Sequence, residues 1–182
     1  VVQAFEIFHK AHPDSRLCVG GFLGKESEEY FQETTKNLNA LNESYKYWGS
    51  PATREEKIAF YKSLSVLSVP TDYHEPKGLF VLEALANGVP VVQPAHGAFP
   101  ELIEQTAGGL LVPPGDPQAL ADAWERLYQD QEYRLQLARQ GYERVRQFYN
   151  AELMATESLS FFQKWVDAAG LRQNTPQLTP DP

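Results

Sequence analysis

A single cysteine, Cys18, stands in 182 residues, so no internal disulfide can form and a disulfide-stapled secreted scaffold is excluded. No cluster of cysteine and histidine has zinc-ligand spacing. Basic charge is scarce as well. Sixteen Lys plus Arg face 24 Asp plus Glu, a net charge of −8, and no basic stripe runs through the chain. That balance argues against a nucleic-acid module and against a polybasic membrane anchor. No apolar run approaches the ~18 residues at which a transmembrane helix comes into question, and no secretory signal is visible. The expectation is a soluble, acidic, cytoplasmic domain. Its length is enough to bury roughly two-thirds of the surface of the unfolded chain without metal or disulfide staples.

What is present alternates in period. The chain opens at Val1-Val2-Gln3 on a helix already under way, with Ala4, Phe5 and Phe8 on one face before Pro13. We expect a fragment lacking an upstream strand. Leu17-Cys18-Val19 reads as a buried strand closed by Gly20-Gly21. Glu26 to about Leu41 reads as a surface helix and loop, and Tyr45 to Trp48, ended by Gly49, as a second strand. Thr53 and Glu56 form a capping box ahead of a helix buried through Ile58, Phe60, Tyr61 and Leu64. Val66 to Val69 is a third predicted strand. A helix over Leu79 to Asn87 is capped by Asn87-Gly88, and Val89 to Val92 is a fourth strand. A short helix over Pro100 to Gln105 leads to a fifth strand, Leu110 to Val112. Asp116 with Pro117 opens another helix, and two more follow around 130–148 and 151–168. Residues 169–182 read as a frayed tail.

Strands alternating with helices, and apolar on both faces, predict an α/β protein with a doubly wound, mostly parallel, Rossmann-like sheet over residues 1–168. Ligands in such sheets bind at the carboxyl ends of the strands. Three loops lie there: Gly20–Lys25, Gly49–Arg54 and Thr71–Gly78.

The last of these loops carries the chemistry. Glu75 lies in the loop after a strand and Glu83 inside the next helix, with seven residues between them. Between them falls a helix N-terminus at Gly78, Leu79 and Phe80, whose amides have no intrahelical acceptor. Free amides and the positive end of the helix dipole suit a diphosphate, and Gly78 removes a side chain that would block close approach. Glu83 can accept hydrogen bonds from vicinal ribose hydroxyls, as acidic residues do in other doubly wound sheets. Glu75 would face the group on the far phosphate. A nucleotide sugar meets all three demands.

The paired glutamates, set in Glu83-Ala84-Leu85-Ala86-Asn87-Gly88-Val89-Pro90-Val91-Val92, are followed by Gly97-Ala98-Phe99-Pro100-Glu101-Leu102 and by Gly108 to Asp116. In that order they resemble the donor-binding half of family 4 retaining glycosyltransferases, which have the two-domain GT-B fold. The resemblance runs from about residue 1 to 165. It implies that Glu75 sits beside the transferred sugar, that Glu83 binds the ribose, and that Gly78, Leu79 and Phe80 hold sugar hydroxyls and diphosphate. It implies a UDP-, GDP- or ADP-sugar donor with no metal or other cofactor, and an acceptor-binding domain outside this chain. An arginine and a lysine clamp the diphosphate in that family, upstream of the helix that opens this chain, so these residues alone are expected to be inactive. Peripheral membrane contact would come only through a longer parent. Lys77 replaces the usual aromatic and can reach a phosphate or lie in solvent. The family's last helix covers the partner domain, which would leave the aromatic face of Phe161, Phe162 and Trp165 either stranded in solvent or satisfied by a neighbouring chain.

Other signals have plainer readings. Gly20-Gly21-Phe22-Leu23-Gly24 lacks the dinucleotide spacing and reads as a turn. His74-Glu75 is not followed by the histidine a zinc protease requires. His9, His12 and His96 are read as surface or loop residues, with His96 a candidate to line the cleft. Gly49 and Ser50 can touch the base, with Arg54 nearby, or simply cap a helix. Trp48 and Trp124 read as packing residues, and the Asn42-Glu43-Ser44 sequon as incidental. The competing functional class is a nucleotide-binding or regulatory module without turnover. An epimerase would need acid–base residues outside the glutamate pair.

Overall fold

The computed structural model describes residues 1–36, 38 and 43–170. They fall into two compact units, Val1–Val145 and the residues from Arg146 onward. In the first unit, helix α1 (Val2–Ala11) leads into β1 (Leu17–Gly20). A 3-10 turn (Lys25–Ser27) and α2 (Glu28–Thr35) then lead to β2 (Tyr45–Gly49), parallel to β1. Helix α3 (Arg54–Lys62) begins at the expected capping box: Thr53 accepts from the Glu56 amide, and Glu56 reaches back to the Thr53 amide. Then come α4 (Leu79–Ala86), β3 (Val91–Pro94), α5 (Phe99–Thr106) and β4 (Gly109–Val112), with β3 and β4 also parallel. Helix α6 (Pro117–Gln129) starts on Asp116, whose carboxylate accepts from the Ala119 amide at 2.9 Å. Helix α7 spans Gln131–Phe148.

The mixed α/β architecture with parallel pairing is as the alternation predicts, but the sheet is in two halves, β1–β2 and β3–β4. The expected third strand, Val66 to Val69, is reduced to one parallel bridge between Leu67 and Val91. Leu67 donates to Pro90 O and accepts from the Val92 amide, whereas the Val69 amide turns to the side-chain oxygen of Gln93 at 3.1 Å. A side chain has replaced the backbone partner, so the ladder stops. The fourth strand starts two residues late because the Val89 amide is still bonded to Ala84 O in the helix-ending turn and Pro90 has no N–H. The surface helix expected from Glu26 ends at Thr35 as α2, and Asn42 of the sequon lies outside the described residues.

The core joins both halves. Ala4 and Phe5 of α1, Val92 of β3, Val112 of β4, and Leu120, Ala121, Trp124 and Leu127 of α6 form one buried cluster with Leu137, and the half-buried Leu17 of β1 and Tyr45 of β2 pack against it. Burying each large side chain contributes roughly 1.5–3 kcal/mol. Trp124 packs as expected, and its indole N–H donates to Ser68 Oγ at 2.9 Å, holding the 66–69 segment to α6. Between the inner edge of β1 and residues 66–71 lies a cavity of about 1030 Å³, lined by Phe5, Leu17, Leu67 and Val69 and reaching Phe60, Tyr61 and Phe80.

The second unit contains α8 (Ala151–Ala168), capped by Asn150, which accepts from the Leu153 amide at 2.8 Å. Phe161, Phe162 and Trp165 are exposed and contact one another. Ala169 and Gly170 close this helix, and the rest of the expected tail lies outside the described residues. Among the described residues, no helix is long and apolar enough to cross a membrane.

Candidate active site

The loop from Thr71 to Gly78 is laid across a second turn, His96–Ala98. Ala98 donates to Glu75 O at 2.8 Å. Gly97 has φ 59°, and a Cβ there would lie 2.7 Å from both Glu75 N and Glu75 O. Only a residue without a side chain permits that approach. His96 Nε2 lies 2.9 Å from Thr71 O, a donor contact if that nitrogen carries the proton, and its ring stacks on His74 at 5.0 Å. His96 therefore anchors the loop.

Glu75 turns its carboxylate back onto the start of α4. Its Oε1 accepts from the amides of Lys77 and Gly78, each at 3.0 Å, and its Oε2 accepts from Tyr73 Oη at 3.2 Å. The Gly78 and Lys77 amides, with Tyr73, hold its carboxyl below the usual glutamate range against a smaller opposing effect of desolvation. Two expectations are corrected by this geometry. The Gly78 amide is not open to a ligand because Glu75 occupies it. Gly78 itself is needed for a left-handed conformation (φ 62°) and for packing, since a Cβ would lie 2.6 Å from Leu102 Cδ1. The Val81 and Leu82 amides bond to Gly78 O. The amides of Leu79 and Phe80, at the positive end of α4, thus remain for an anion.

Glu83 sits on α4 and is gripped from α3. Its Oε1 accepts from Lys57 Nζ at 2.7 Å and its Oε2 from Tyr61 Oη at 2.8 Å. Tyr61 is only 6% exposed. Burial first, then the bond to Glu83 and its charge, push the Tyr61 phenol far above its ordinary value, so it stays a donor. Tyr61 is expected on the buried side of α3, whereas no motif marks Lys57. Their spacing of four along one helix face was the available signal.

Of the other expected site residues, Lys77 meets Glu75 through its backbone amide, and Gly49 and Ser50 lie at the end of β2. Gly49 ends β2 with φ 70° and open space around its Cα, and Ser50 is exposed. Gly49 O accepts from the Gly21 amide at 3.0 Å, which ties the ends of β1 and β2 together; Gly20 is the last residue of β1 and the chain bends at Gly21, so the expected turn over Gly20–Gly24 is a strand end followed by irregular chain. Lys77 and Arg54 are exposed. Trp48 packs edge-on against Phe60 of α3, and Lys46 lies over its ring at 4.4 Å.

Comparison with known proteins identifies the family and the fold. The family model described as glycosyl transferases group 1 matches residues 1–144. D-inositol 3-phosphate glycosyltransferase of Corynebacterium aurimucosum is 31% identical over 152 residues, 81% of this chain and 35% of that protein. The enzyme of that name from Corynebacterium urealyticum is 34% identical over 143 residues, 76% of this chain and 33% of that protein. The chain thus spans about a third of the length of these curated relatives. Among solved structures, sucrose-phosphate synthase from Thermosynechococcus elongatus aligns with TM-score 0.76 and 28% identity, covering 92% of this chain and 42% of that one. The Anabaena protein HepE in complex with UDP aligns with TM-score 0.78 at 19% identity over 90% of this chain and 44% of that one, a likeness of fold. By its sequence motifs, by its α/β architecture of GT-B type and by the family match over most of its length, the chain belongs to the group 1 glycosyl transferases.

Proposed function

We propose that this chain carries the donor-binding domain of a retaining glycosyltransferase that moves a hexose from a nucleoside diphosphate to an acceptor bound elsewhere in a longer protein, with the site in the unit Val1–Val145. The observation that carries this reading is the start of α4. Two open amides, Leu79 and Phe80, lie between a carboxylate fixed in the preceding loop and another held one turn further along the helix. The diphosphate takes the amides and the helix dipole. Glu83 accepts from the ribose hydroxyls, and Gly49 and Ser50 flank the base. Glu75, held ionised by backbone amides, stands beside the sugar and stabilises positive charge developing at its anomeric carbon. No cofactor is assigned a step. In the transfer, the bond from the anomeric carbon to the phosphate oxygen breaks and one to the acceptor oxygen forms on the same face. The acceptor proton leaves with the diphosphate. The solved HepE complexes with UDP and with UDP and glucose support the choice of ligand class by likeness of fold.

Calorimetric titration with UDP, GDP and ADP tests the reading. One of them is expected to bind, and Glu83→Ala is expected to abolish that binding. Wild-type affinity in Glu83→Ala would remove the ribose assignment. In the longer protein, Glu75→Ala should lower turnover with folding intact. A binding module without turnover would have no transfer activity to lose.

A further inference from the structure

We infer that Lys57 and Tyr61 of α3 are positioning residues that set the Glu83 carboxylate for two vicinal hydroxyls at once, making α3 the element that selects ribose in the bound nucleotide. The inference rests on the donor-site reading above and adds residues to it.

A carboxylate offers about four lone-pair directions on two oxygens. Lys57 takes one on Oε1 and Tyr61 one on Oε2. One acceptor position is left on each oxygen, the pairing that a cis-diol presents as two donors. Without partners, the glutamate side chain would rotate freely and pay that entropy when ligand binds. Tyr61 cannot swing away, because its ring is buried and packs edge-on against Phe60 at 5.7 Å. Lys57 adds a second effect. Glu83 lies one turn from the amides assigned to the diphosphate, and its negative charge there opposes anion binding. The lysine ammonium at 2.7 Å cancels most of that field. Both residues descend from one local device: the Thr53 capping box fixes the start of α3, and Lys57 and Tyr61 stand four apart on one face of it.

The test compares UDP, GDP and ADP with their 2′-deoxy counterparts by calorimetry on the wild-type chain and on Tyr61→Phe, Lys57→Met, Lys57→Arg and Glu83→Gln. Tyr61→Phe keeps the buried ring, and Lys57 is exposed, so both variants should fold; circular dichroism checks this. Wild type is expected to prefer the ribonucleotide by about tenfold or more, the worth of a hydrogen bond to a charged group. Tyr61→Phe should lose most of that preference while binding the deoxynucleotide nearly as wild type does; Lys57→Met should lose most of the preference too, on top of a weakening common to both nucleotides from the uncompensated Glu83 charge. Lys57→Arg should keep part of it. A merely structural role would weaken both nucleotides equally. If the preference is present, disappears in Glu83→Gln, yet survives in Tyr61→Phe and in Lys57→Met, the inference is overturned and the donor-site reading stands. If wild type binds no nucleotide, or binds both forms equally, the ribose assignment itself fails and takes this inference with it.

Discussion

Replacing Gly97 by alanine tests whether the Glu75 loop rests on the turn after β3. Two costs add at this position. The backbone is left-handed, φ 59°, and a side chain there costs roughly 1–2 kcal/mol. The new Cβ would also lie 2.7 Å from Glu75 N and O and 3.1 Å from His74 C. These are backbone atoms that cannot rotate aside, and overpacking of this kind costs about 1–3 kcal/mol. The expected loss is therefore about 2–5 kcal/mol. Gly88 and Gly115 serve as internal controls. Their φ values are 74° and 71°, yet nothing lies within 4 Å of a Cβ built on either, so Gly88→Ala and Gly115→Ala should show the backbone cost alone. Urea unfolding of the three variants, with slopes compared to exclude changes in the denatured state, gives the difference. Nucleotide titration of Gly97→Ala should also show weakened binding, because Glu75 holds the start of α4. If Gly97→Ala is no more destabilised than the two controls, the loop does not lie where the geometry puts it.

Other outcomes follow from the same contacts. Because the Glu75 carboxyl is held below its ordinary value in the folded chain, its contribution is complete above the unfolded value and is lost as pH falls through the lowered folded value. NMR shifts of the Lys77 and Gly78 amides should titrate on that acid limb in wild type and stay flat in Glu75→Gln. Thr53→Ala removes the side-chain half of the capping box and should cost about 0.5–2 kcal/mol in urea unfolding; a change below that range would mean that the cap does not hold α3. A Cβ on Gly20 would sit 2.8 Å from the Phe60 ring. Gly20→Ala should therefore destabilise by about 1–3 kcal/mol, and Phe60→Leu should recover part of that loss in the double variant. Simple additivity of the two changes would show that they do not touch.

Helices were the most legible elements, and caps made them so. Thr53 with Glu56 and Asp116 with Pro117 mark the starts of α3 and α6 correctly because a cap is a local interaction readable over four residues. Strand edges were less legible. Val66 to Val69 has strand composition, but pairing depends on what lies alongside, and here Gln93 from another segment takes the Val69 amide. The glutamates illustrate the same division at the site. Their positions, one in a loop and one in a helix with an amide-bearing turn between, could be read from spacing. Which donors each would meet could not, since Glu75 accepts from the amides of Lys77 and Gly78 and Glu83 from Lys57 and Tyr61 on another helix.

The order of residues alone determined the alternation of helix and strand, the parallel pairing it implies, and the family motif around Glu75 and Glu83, because these rest on period and short-range spacing. The tertiary structure alone decided that Gly78 and Gly97 serve the protein's own packing, that the sheet is split, and that Lys57 and Tyr61 hold Glu83. Those facts join segments some 20 or more residues apart, and no local rule relates groups that become neighbours only when the chain folds.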